Sequence, residues 1–76
     1  MNKLLKASLD FYEAQKSEAI ATLDVYFNKS VGIGEHSNLL DEIKKWTDKL
    51  AQAEENLTVL KSHFVNEGKE KEVLLD

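Results

Sequence analysis

The feature that most constrains this chain is the regular spacing of apolar residues between positions 38 and 64. The steps alternate between three and four residues, whereas a β-strand needs an apolar residue at every second position. Such spacing predicts one long helix that buries a narrow apolar stripe against a neighbouring helix. The residues between the stripe positions are nearly all polar. The stripe consists of Ile43, Trp46, Leu50, Ala53, Leu57, Leu60 and Phe64.

Residues that favour helix ends flank this stripe. Ser37 and Asn38 are both of the type whose side chain caps a helix N-terminus, and Asp41 places negative charge in the first turn. Gly68 stands where a left-handed terminating residue is expected. The sequence therefore predicts a helix over about 38–67.

A second stripe with the same spacing predicts another helix over about 3–28. Lys16 occupies one stripe position, where its aliphatic stem can lie along the seam while the ammonium reaches water. Glu13, three residues earlier, is spaced for a surface ion pair with Lys16. Ile20 and Phe27 widen the stripe, as in a helix packed into a core, and this wide face is where we expect a partner or second chain. The stripe residues are Leu5, Leu9, Tyr12, Ala19, Leu23 and Tyr26.

The connector between the two helices contains Gly32 and Gly34, and the apolar Val31 and Ile33 alternate with them. We favour a connector that folds back and plugs the open end of the helix pair, because a two-helix core needs every apolar group available. The alternative is that Val31 and Ile33 form a small apolar patch for a partner.

These elements predict an all-α fold, a long antiparallel two-helix hairpin with helices at about 3–28 and 38–67 and a glycine-containing connector. The 76 residues allow a single small helical domain over 1–76. Residues 69–76 alternate in charge and end in an apolar run, which is compatible with a frayed tail or with an extra docked turn. Two helices give one thin seam, so a homodimer that forms a four-helix bundle is also compatible with the pattern.

Composition excludes several classes of protein. The chain has no cysteine, which rules out a disulfide framework and a thiolate zinc site. It shows no apolar run long enough to span a membrane and no signal-peptide pattern, so we expect a soluble cytoplasmic protein without membrane contact. Its net charge of −4 argues against a general nucleic-acid binder, which needs a basic face.

The sequence contains no convincing catalytic, metal or cofactor site. His36 beside Glu35 is a formal acid–base pair, but neither a nucleophile nor a secluded pocket accompanies it. The Gly32-x-Gly34 pair lacks the remaining residues of a phosphate-binding loop. His36 and His63 fall at opposite ends of the second helix, too far apart to share a metal. We therefore expect a protein that is not an enzyme and that uses no cofactor.

Direct binding of single-stranded DNA is a weaker alternative that rests on Lys3, Lys6 and Lys16. Binding through these lysines would depend steeply on salt. Trp46 would have to face outward to stack on a base, and its place on the stripe favours the core instead.

One part of the chain resembles a known protein family. Tyr26-Phe27, the Val31–His36 string Val-Gly-Ile-Gly-Glu-His and the helix that opens Leu39-Leu40-Asp41-Glu42 are similar to a family of small proteins of T-even-type and related tailed bacteriophages. Members of that family are encoded beside the UvsW recombination helicase. The resemblance implies a setting in phage DNA recombination and repair, in the host cell cytoplasm. It supplies no catalytic residues, and the chain has no helicase motor of its own.

The sequence thus predicts a non-enzymatic accessory protein of phage DNA recombination that acts by protein contact, with a helicase or a single-strand-binding protein as its partner. The alternatives are a phage inhibitor or ligand sponge directed at a host factor, and the weak single-strand DNA binder. The predicted partner or ligand surface consists of Val31, Ile33, Glu35, His36, Ile20 and Phe27.

Overall fold

The chain folds into two long helices that pack against each other as an antiparallel hairpin, as predicted. A computed structural model describes residues 1–28 and 38–65 and contains α1 (Lys3–Asn28) and α2 (Leu39–Phe64). Each helix has 26 residues, which corresponds to a length of about 39 Å at 1.5 Å per residue. No strand occurs within these described residues.

The core is the thin seam between the two stripes. Ala19 and Ala53 are completely inaccessible to solvent, and Leu23 and Leu57 retain only 8% and 4% exposure. The alternation of apolar residues therefore identified the buried face of both helices. The remaining stripe residues are half-buried, with the exception of Phe64; they are Leu5, Leu9, Tyr12, Lys16, Tyr26, Ile43, Trp46, Leu50 and Leu60.

The two helices begin differently. The side-chain Oδ1 of Asn2 accepts hydrogen bonds from the backbone N–H groups of Leu4 and Leu5, at 2.7 and 3.0 Å. This is a full side-chain cap on the free donors at the start of α1. Asn38 is the N-cap residue of α2, as the sequence suggested, but its side chain makes no capping bond.

The end of α2 differs from the prediction. The helix stops at Phe64 rather than at 67, and Val65 leaves helical geometry while its N–H still donates to the carbonyl of Lys61 at 3.1 Å. Phe64 is 66% exposed, so its assignment to the buried stripe was wrong. The physical reason is its position: in an antiparallel hairpin the last residue of α2 lies beside the very start of α1, which offers little surface to cover it.

Two contacts between the helices mark the opposite edges of the seam. On one edge, Lys61 Nζ lies 3.4 Å from Glu13 Oε2, so Glu13 pairs across the helices, whereas the spacing had suggested Lys16. On the other edge, the amide Nε2 of Gln15 lies 3.5 Å from the carbonyl oxygen of Lys49, a long hydrogen bond. These contacts define which residues of α1 and α2 share an edge.

Several predictions fall outside the described residues. They are the folding-back of Val31 and Ile33, the glycine turn at Gly32 and Gly34, the termination at Gly68 and the state of residues 69–76. These remain predictions.

Candidate interaction surface

The Glu13–Lys61 ion pair brings together two rows of residues with seven-residue spacing. On α1 the row continues through Ile20 and Phe27, and on α2 it runs back from Lys61 to Leu40. Residues seven apart lie on nearly the same face of a helix. The two rows therefore form one edge of the hairpin, and every member of them is exposed.

Three large apolar side chains of this edge lie near the end where α1 finishes and α2 begins. Ile20 is 47% exposed, Phe27 64% and Leu40 61%. We call these three residues the edge patch. Ile20 and Phe27 were predicted as part of a partner surface, whereas Leu40 was not. Leu40 lies three seven-residue steps before Lys61, but this spacing identifies it as an edge residue only once the edge is known.

The opposite edge is polar and more closely packed. The side chains that flank the seam there are half-buried; they are Ser8, Gln15, Thr22, Glu42, Lys49 and Asn56. The expectation that Ile20 and Phe27 widen the buried stripe is therefore wrong. The two helices approach each other more closely along the polar edge, so the apolar edge stays open to solvent.

The other four residues of the predicted partner surface are Val31, Ile33, Glu35 and His36, and all lie outside the described residues. His63 lies in the last turn of α2, where a cation suits the helix dipole. It is exposed, and its ring centroid lies 6.2 Å from that of Phe64.

The three lysines proposed for DNA contact do not form one basic face. Lys6 Nζ is paired with Asp10 Oδ2 at 2.8 Å. Lys16 lies at its seam position and is half-buried, consistent with a stem that packs along the seam. Lys3 is exposed near the start of α1. This arrangement does not favour a continuous track for a phosphate backbone.

Trp46 is half-buried on the seam, on the side that the stripe predicted. Lys45 Nζ and Lys49 Nζ lie 5.8 and 5.4 Å from the centroid of its ring, within the range of a cation–π contact. The indole is therefore half-buried in the seam and has two lysine ammonium groups over its ring. This environment is typical of a half-buried seam residue and not of an exposed aromatic ring that stacks on a base.

Residues 1–28 and 38–65 hold no group of three or more His, Cys, Asp or Glu side chains arranged to bind a metal ion. Neither helix in this part of the chain is long and apolar enough to cross a membrane. No protein-family model, curated protein or solved structure matches the sequence.

Proposed function

We propose that this protein is a non-enzymatic interaction protein that binds another protein through the edge patch of Ile20, Phe27 and Leu40. The observation that carries this proposal is the exposure of all three side chains, at 47%, 64% and 61%, on one edge of the hairpin. Clustered apolar exposure of this kind is typical of protein-binding surfaces.

The surroundings of the edge patch support a protein partner. Phe27 is aromatic, the class of residue that most often dominates binding energy at protein interfaces. Within the same rows, Glu13, Glu54 and Lys61 supply a polar margin of mixed charge. An apolar centre with a polar rim is the usual organisation of such interfaces.

The setting that we propose is phage DNA recombination and repair, with the branched-DNA helicase or a single-strand-binding protein as partner. It rests on the resemblance of residues 26–42 to the small phage proteins encoded beside that helicase. Both the edge patch and the resembling segment fall at the same end of the hairpin, since α1 ends at Asn28 and α2 starts at Leu39.

The test is capture of partners from phage-infected cells by the tagged protein at low and high salt, followed by mass spectrometry. We expect recovery of the recombination helicase or the single-strand-binding protein, retained at high salt because apolar contact is not screened. Purified partner and protein then give a dissociation constant. Phe27→Asp is expected to weaken that binding by roughly thirtyfold or more, the loss of about 2 kcal/mol typical of a central aromatic residue.

Val59→Asp is the matched control, because Val59 is a 44% exposed apolar residue of α2 outside the edge patch. It should bind as the unaltered protein does. If both variants bind equally well, the edge patch is not the interface. If the captured protein is a host factor, the inhibitor alternative replaces the recombination setting. Capture of nucleic acid that is lost at high salt and on reversal of Lys3 and Lys6 would favour the DNA-binding alternative.

A further inference from the structure

The face of α1 that lies outside the seam carries a second apolar stripe, which the hairpin leaves uncovered. Its positions also alternate in steps of three and four residues, and every member is exposed. Leu4 and Phe11 are among the most exposed large side chains, at 79% and 62%, and Val25 is 47% exposed. We call this the outer stripe; it consists of Leu4, Ala7, Phe11, Ala14, Glu18, Ala21 and Val25.

The corresponding face of α2 is different. Of its residues at equivalent positions only Val59 is large and apolar; the others are Asp41, Lys45, Asp48, Gln52, Glu55 and Ser62. A helix that faces only solvent on its outer side has this polar composition. The outer stripe of α1 is therefore a property of α1, and not a general feature of the surface.

We propose that the outer stripe is the interface of a symmetric homodimer, in which α1 of one chain packs antiparallel on α1 of a second copy. Twofold symmetry requires that the stripe be complementary to its own reverse. Reversal about Ala14 brings Leu4 to within one residue of Val25 of the second copy. It also brings Ala7 level with Ala21, and Ala14 meets its own counterpart.

The small residues have the spacing that close packing of antiparallel helices requires. Ala7, Ala14 and Ala21 recur at every seventh position, and each meets an alanine of the second copy in this arrangement. Helix axes approach to about 8 Å only where the side chains at the contact are small. The larger Leu4 and Val25 then close the interface at its two ends, over about 32 Å of helix.

The arrangement also accounts for Phe11, because its counterpart in the outer stripe of the second copy is Glu18. A groove of about 330 Å³ is lined by Phe11, Ala14, Gln15 and Glu18 of α1 and by Lys49 of α2. Reversal about Ala14 brings Phe11 of each copy to within one residue of Glu18 of the other, and therefore beside this groove. In this arrangement the ammonium of Lys49 lies near the Phe11 ring of the second copy. It also carries the charge opposite to that of Glu18, which lines the same groove.

Charges at the border of the stripe also match. Lys3 and Asp24 lie in the same row beside the outer stripe, one near each end of α1, and both are exposed. In the antiparallel dimer each comes within about one helical turn of the other in the second copy. In a parallel dimer the two copies of this row would lie on opposite sides of the interface, so Lys3 and Asp24 could not pair.

Cysteine cross-linking tests this arrangement directly, because the chain has no cysteine. Ala14→Cys is expected to form a disulfide-linked dimer rapidly under mild oxidation, since the two copies of this residue meet at the symmetry axis. Ala51→Cys is the matched control, because Ala51 is an exposed alanine of α2 on its outer side. A mixture of the Ala7→Cys and Ala21→Cys proteins should cross-link mainly between the two variants and not within either one.

Sedimentation equilibrium then measures the affinity. Ala14→Glu places two like charges at the axis and is expected to raise the dimer dissociation constant roughly a hundredfold. Lys3→Glu should weaken the dimer, and adding Asp24→Lys should restore it. Phe27→Asp should leave it unchanged, which separates this proposal from the edge patch. A chain that sediments as a monomer at its highest soluble concentration, or Ala51→Cys that cross-links as fast as Ala14→Cys, would overturn the proposal.

Discussion

At the scale of single residues, two asparagines in equivalent places behave differently. Asn2 and Asn38 each precede a long helix, but only Asn2 has a side chain that accepts bonds from free backbone N–H groups. Residue type identifies a candidate cap, and the backbone angles decide whether its side chain reaches the donors. Asn38 has φ −102° and ψ 22°, and it contributes its backbone carbonyl to Glu42 instead.

This difference gives the first prediction. Asn2→Ala is expected to lower the free energy of unfolding by about 1 kcal/mol, because two backbone donors lose their partner. Asn38→Ala removes no side-chain cap and should cost clearly less. Urea denaturation followed by circular dichroism measures both. Equal losses for the two variants would contradict the assignment of the cap.

Two alanines of α2 differ in their exposure to solvent, and we expect them to differ in their tolerance of a larger side chain. Ala53 is completely buried in the seam, whereas Ala51, two residues earlier, is exposed. Ala53→Leu is expected to lower the free energy of unfolding by about 1–3 kcal/mol, because the larger side chain forces the helices apart. Ala51→Leu should stay within about 0.5 kcal/mol. Chemical denaturation of the pair checks this, and tolerance of Ala53→Leu would show a looser seam than the structure has.

At the scale of the helices, α1 and α2 share one stripe but differ on their outer sides. The outer face of α2 is polar, whereas α1 has apolar residues on two nearly opposite faces. A helix with two such faces is covered on both sides in a stable assembly. The seam itself is incomplete, because Lys16 holds a position that the spacing assigns to an apolar residue.

The lysine in the seam gives a prediction at this scale. Lys16→Leu is expected to raise the free energy of unfolding by about 1 kcal/mol, since an apolar side chain completes the stripe. Lys6→Leu, at an exposed site, should stay within about 0.5 kcal/mol. Thermal and urea denaturation of both variants provide the measurement. A loss of stability in Lys16→Leu, or a loss of DNA binding with it, would indicate a functional lysine.

At the scale of the whole molecule, the hairpin buries little for its size. Its fully covered side chains are those of Ala19 and Ala53, with Leu23 and Leu57 nearly so, among the residues that the structure describes. Small chains with thin cores gain stability from association. The proposed dimer would supply a second seam through the outer stripe, on the side of α1 opposite α2.

Association of this kind makes stability depend on concentration. The thermal unfolding midpoint is expected to rise with protein concentration, because dimer formation stabilises the folded state by mass action. In Ala14→Glu the midpoint should be independent of concentration. Circular dichroism melts over a wide range of concentrations measure this. A midpoint that stays constant in the unaltered protein would contradict the dimer.

The sequence by itself determined the two helices, their antiparallel pairing and the residues of the seam. Periodicity defines the helices and the seam, because residues three and four apart share a helix face. The antiparallel pairing follows from the short connection between Asn28 and Leu39. The start and end of α1 at Lys3 and Asn28 followed from the same pattern. The sequence did not show that Ile20 and Phe27 are exposed, because their spacing predicted that both widen the buried stripe.

Only the tertiary structure decided how α2 lies across the stripe of α1. The Gln15–Lys49 and Glu13–Lys61 contacts join residues more than thirty positions apart, and no local pattern specifies them. They show that the polar edge is more closely packed and that the apolar edge is open, which leaves Ile20, Phe27 and Leu40 exposed. A stripe defines which face is buried, but the rotation of one helix against the other depends on the packing of both.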